Sequence, residues 1–134
     1  MSRYMLDTNI ISDLIRNPQG RAAKRIAKAG EESICTSIVV AAELRYGCAK
    51  RGSERLLRAV EGLLAEIEIL PMDVPADDEY GKIRSELEAA GKPIGSNDLL
   101  IAGHARAVGA TVVTADTGEF KRVRGLKVEN WLEQ

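Results

Sequence analysis

Apolar residues along the chain follow two rhythms: short β-branched or aromatic runs closed by polar or turn residues, and longer stretches repeating every three to four positions. Tyr4-Met5-Leu6, Ile34-Cys35-Thr36, Ile67 to Leu70 and Thr111 to Thr114 follow the first and predict strands, with Lys127-Val128 as a last edge strand. The second rhythm predicts six helices: one capped by Asp7 or Thr8 and ending near Asn17, then Arg21 to Ala29, Ile38 to about Lys50, about Ser53 to Ala65, Val74 to Ala90, and Ser96 to Val108. Ser37 and Ser96 stand where N-cap oxygens are wanted, and Gly30, Gly91 and Gly109 where helices must stop. Pro18 ends the first helix, because the residue before a proline is pushed out of the helical region.

Short strands alternating with crossover helices predict an α/β fold: a three-layer α/β/α sandwich around a short-stranded, mostly parallel central sheet. No repeat, low-complexity segment or Gly/Ser/Pro-rich linker divides residues 1–134, which read as one domain. In such sheets ligands sit beyond the carboxyl ends of the strands. Asp7 directly follows the first strand, and Asp116 lies two residues after Thr114.

Composition narrows the class. A chain of 134 residues with 45% hydrophobic and 29% charged side chains supports one core, which excludes disorder, a collagen-like chain and a coiled coil. The longest apolar run, Ile38 to Ala42, is far too short to span a bilayer, and no basic-then-apolar leader opens the chain, so a cytoplasmic protein without membrane contact is expected. Cys35 and Cys48 are not a CxxC pair, and with a single histidine they complete no four-ligand zinc site; reduced, packed thiols are expected.

The acids are more telling. Glu43 shares a helix face with Val39, Val40, Tyr46 and Gly47, an uncharged stripe in which a carboxylate is desolvated unless a cation or donor meets it. Asp98 falls in the first turn of its helix, where the macrodipole favours an anion, and Asp116 leaves a strand end, with Glu119 a weaker candidate nearby. The fold rule gathers Asp7, Glu43, Asp98 and Asp116 on one rim, where their repulsion calls for a hard divalent cation, Mg²⁺ or Mn²⁺. Such an ion serves phosphodiester hydrolysis. His104, six residues after Asp98, points to another helix face, and no GxxxxGK[ST], GxGxxG or GxSxG is present.

Four segments, in this order and spacing, resemble the PIN-domain toxins of the VapC type: Met5-Leu6-Asp7-Thr8-Asn9, Ala42-Glu43-Leu44-Arg45-Tyr46-Gly47, Ile94 through Ala105, and Thr114-Ala115-Asp116-Thr117-Gly118-Glu119-Phe120. The closing Gly125 to Trp131 is similar to that family's tail, so the resemblance runs from end to end. It implies a Mg²⁺- or Mn²⁺-dependent endoribonuclease, the homodimeric toxin of a toxin–antitoxin pair, held inactive by a VapB-like antitoxin. It also puts the family's catalytic acids on Asp7, Glu43, Asp98 and Asp116, with Thr8, Asn97 and Thr114 at neighbouring polar positions suited to orienting water or phosphate. On that arrangement Asp7, Asp98 and Asp116 are expected to hold the metal directly or through water, while Glu43 either completes the shell or orients the attacking water. Ala115 departs from the family, which often has asparagine there.

A net charge of −1 hides segregation. Arg16 to Lys28 holds five bases and no acid, Arg45 to Arg58 five bases against Glu54, and Lys121 to Lys127 four bases, whereas Glu66 to Glu79 carries six acids and no base. These blocks suit RNA phosphates outside an acidic pocket. Two rivals stand against the nuclease. One is a catalytically silent PIN-like module that only binds an antitoxin or scaffold. The other is a haloacid-dehalogenase-like phosphatase, which wants a second acid where Asn9 stands.

Overall fold

A computed structural model describes residues 2–133. In chain order the elements are β1 (Tyr4–Leu6), α1 (Thr8–Arg16), α2 (Arg21–Ala29), β2 (Ile34–Ser37), α3 (Ile38–Arg51), α4 (Glu54–Leu64), β3 (Glu68–Leu70), α5 (Ala76–Ala89), α6 (Ser96–Val108), β4 (Thr111–Val113), α7 (Thr117–Phe120) and β5 (Val128–Glu129). The strands form one sheet in the order β3-β2-β1-β4-β5, and every pairing is parallel. The chain steps outward from β1 to β3, then returns past β1 to β4. Right-handed crossovers therefore put the outward helices on one face and the returning ones on the other.

This order reverses direction between β1 and β4, whose registers match Leu6 to Val113. A crevice opens beyond the strand ends at such a switch point. Asp7 and Thr114, the next residues, stand at its mouth. Met5, Leu6, Val112 and Val113 are fully buried beneath it, packed with Ile10, Ile11, Ile101 and Phe120. Cys35 and Cys48 are buried free thiols, as expected from their spacing. Among the described residues no helix is long and apolar enough to cross a membrane.

Two departures from the sequence reading follow from local chemistry. The N-cap of α6 is Gly95 rather than Ser96, which already belongs to the helix; the Gly95 N–H is met instead by the Glu119 carboxylate at 2.9 Å. The segment after β4, where the sequence predicts no helix, contains α7, a single turn too short to register as a helical period.

Helices α5 and α6 pack closely because Gly103 faces Tyr80. A Cβ added at Gly103 would lie 3.1 Å from the Tyr80 backbone N and Cα, where main chain must move. Gly103→Ala is therefore expected to destabilise by about 1–3 kcal/mol through overpacking, read as a lower urea midpoint at unchanged slope. A midpoint equal to wild type would show that the pair of helices yields freely.

Candidate active site

Asp7 leaves β1 and caps α1: its Oδ1 accepts from the Thr8 backbone N–H at 2.8 Å. Its other oxygen, Oδ2, accepts from the Thr114 hydroxyl at 2.8 Å and from the Asn9 side-chain amide at 3.4 Å. The Asn9 carbonyl in turn receives the Ala115 backbone N–H at 2.9 Å, and Thr114 Oγ1 accepts from the Asp116 N–H at 2.9 Å. The ends of β1 and β4 are thereby tied through one carboxylate that is 4% exposed. Burial raises the Asp7 pKa, opposed by the hydrogen bonds from Thr114 and Thr8 and reinforced by the charges of Glu43 and Asp116.

Across the crevice, the first turn of α6 presents Asp98, the β4 exit presents Asp116, and α7 presents Glu119. Oxygens of these three carboxylates lie within 4.8 Å of one another. Burial, a hydrogen bond shared with Glu119 and the charges of Asp7, Glu119 and Asp116 push Asp98 up to about 8. Asp116 is raised by desolvation and by its hydrogen bond to Glu119. Glu119 is lowered, chiefly by the hydrogen bond from Asp98 and then by the Gly95 N–H. The cluster therefore retains a proton near neutral pH when no cation is present.

Glu43, on α3, is held by two donors: the Thr8 hydroxyl meets Oε1 at 3.0 Å, and the Asn97 amide meets Oε2 at 2.9 Å. Its half-buried carboxylate thus bridges the start of α1 and the start of α6, one residue from Asp7 and one from Asp98 respectively.

All four acids expected from the sequence converge on one rim, but the tight trio is Asp98, Asp116 and Glu119, with Asp7 alongside. Thr8, Asn97 and Thr114 lie at the site, and here they donate to carboxylates. Asn9, part of the first motif but not among the expected site residues, bridges Asp7, Thr114 and Ala115; its spacing of two from Asp7 is the signal the sequence offers. His104 lies apart from these acids in the core, its Nδ1 2.7 Å from the Ser37 hydroxyl, and burial lowers its pKa.

Three clustered carboxylates, one carrying a proton that a cation would displace, are an all-oxygen donor set of the kind hard divalent ions take. The donor chemistry fits Mg²⁺ or Mn²⁺ and offers no soft ligand.

Comparison with known proteins gives a consistent picture. The PIN domain family model matches residues 4–126. The chain is 41% identical over 132 residues to the tRNA(fMet)-specific endonuclease VapC of Shigella flexneri, covering 98% of this chain and 99% of that protein. It is 40% identical over 130 residues to ribonuclease VapC2 of Rickettsia felis, covering 96% and 97%. Among solved structures, DNA-bound VapBC from Salmonella typhimurium matches with a TM-score of 0.89 at 38% identity, over 98% of this chain and 99% of that one.

Proposed function

The chain belongs to the VapC ribonucleases of the PIN-domain family, and from that membership and its acidic rim we propose a divalent-cation-dependent endoribonuclease acting as the toxin of a toxin–antitoxin pair. The observation that carries this reading is the convergence of Asp98, Asp116 and Glu119 within 4.8 Å beside Asp7 at the sheet's switch point. Its substrate is RNA, its partner a VapB-like antitoxin, and its working form a homodimer in the cytoplasm. Residues 1–134 act as one nuclease domain.

Asp7, Asp98 and Asp116, joined by Glu119, would hold Mg²⁺ or Mn²⁺ directly or through water. When bound, the cation polarises the phosphodiester and lowers the pKa of a coordinated water. The protein's own groups do the rest. Thr114 and Asn9 lock the Asp7 carboxylate in place, and the Gly95 N–H does the same for Glu119. Glu43, oriented by Thr8 and Asn97, positions the attacking water and accepts its proton.

A direct consequence is proton-linked metal binding. With Asp98 near 8 in the cation-free protein, the trio binds an ion only by releasing that proton. Calorimetry in two buffers of different ionisation enthalpy at about pH 7 should therefore show release of close to one proton per Mg²⁺. Apparent affinity should rise with pH up to about 8 and level off above it. Binding that releases no proton and is flat with pH would contradict the assignment of Asp98 to the ion.

A further inference from the structure

We propose that a cleft beside Glu43, kept open by Gly47, receives one unpaired nucleobase of the RNA next to the scissile phosphate, an inference that rests on the ribonuclease reading above. The cleft measures about 260 Å³ and opens between α1, α3 and α4. Thr8 and Glu43 belong both to its lining and to the acidic rim, so a strand with its phosphate at the rim reaches the cleft with an adjoining base. Its floor is apolar, built from Ile15, Leu44, Leu56 and Val60. The volume lies below the ~300 Å³ at which pockets for drug-sized ligands begin, and suits a single flat ring system.

Gly47 is the signal. It lies four residues after Glu43, on the same face of α3, in a helix interior where glycine is weaker than alanine. No close neighbour requires it: a Cβ added there meets nothing within 4 Å. A side chain at 47 would occupy the cleft itself. At the rim stand Arg16 and Arg51, exposed and, among the described residues, engaged in no ion pair. Arg45 and Arg58, in the same basic block as Arg51, are by contrast matched with Glu61 and Glu54. Free guanidinium planes stack on splayed bases and bind phosphates, and sequence-specific RNA readers take unstacked bases in this way.

The test uses a short RNA stem–loop whose cleavage site has been mapped with the wild-type protein and Mg²⁺, and the same RNA made abasic on either side of that site. Gly47→Leu should lower kcat/KM on intact RNA by about 10- to 100-fold without lowering the melting temperature, with Gly47→Ala in between. One abasic RNA should lose a similar factor with wild type and nothing further with Gly47→Leu. Equal cleavage by Gly47→Leu, or losses that multiply, would overturn the proposal. So would wild-type activity indifferent to both abasic positions, an arm that decides the matter even if Gly47→Leu folds poorly. A Gly47→Leu protein that cleaves normally but escapes the antitoxin would assign the cleft to a protein segment instead. If the wild type cleaves no RNA with Mg²⁺, the ribonuclease reading itself fails.

Discussion

Asp7→Asn should leave a folded protein whose Mg²⁺-dependent RNA cleavage is lower on the order of 10³-fold or more. The substitution removes one charge and almost no volume. The remaining carbonyl oxygen can still accept the Thr8 N–H, so the cap of α1 survives. What disappears is a buried anion beside the Asp98–Asp116–Glu119 trio. The stability effect has the opposite sign. Burial raises the Asp7 pKa above its unfolded value, so the ionised form disfavours the native state once pH exceeds the ordinary carboxylate range, and that penalty fades as pH falls. An amide escapes it. In the absence of cation at neutral pH, the variant should therefore melt at or above the wild-type temperature. Cleavage of a labelled RNA, read beside a thermal melt of the same preparation, checks both signs. Activity within tenfold of wild type in a folded Asp7→Asn protein would remove Asp7 from the machinery.

Trp131→Ala should cost about 3–5 kcal/mol, a large share of the roughly 5–15 kcal/mol that holds an ordinary domain. The Trp131 side chain is 1% exposed and packs against Tyr4 of β1 at a ring-centroid distance of 5.0 Å. The Arg25 guanidinium lies 5.3 Å from the ring centroid, and the indole N–H donates to Glu129 Oε1 at 2.8 Å. Glu129 belongs to β5, and its carbonyl accepts the Thr114 N–H at 2.9 Å. Losing the indole therefore loosens an edge strand that steadies the residue bonded to Asp7, and cleavage should fall with stability. Urea unfolding measures the first effect. A loss under about 1 kcal/mol would mean that the tail contributes little, and Trp131→Phe should retain most of the packing.

Much of this was legible in one dimension. Strand β1 and helix α3 announce themselves through an apolar run stopped by Asp7 and an uncharged stripe interrupted by Glu43, because burial imposes those patterns wherever an element meets the core. Asp98 was legible from its place in a helix's first turn. Glu119 was harder, since its role depends on a four-residue helix and on an N–H twenty-four residues away. The tie between Asp7 and Thr114 spans 107 residues and follows from strand order, which local periodicity does not encode. The Gly47 cleft was invisible for a related reason: an empty space is defined by α1, α3 and α4 together.

The most direct test of a metal-dependent RNA-cleaving centre is cleavage-site mapping on total RNA with wild type beside Asp98→Asn, each with Mg²⁺ and with a chelator. The expected result is a discrete set of new RNA ends from wild type with Mg²⁺ and none in the other three reactions. The same ends from folded Asp98→Asn, or from wild type with the chelator, would contradict it.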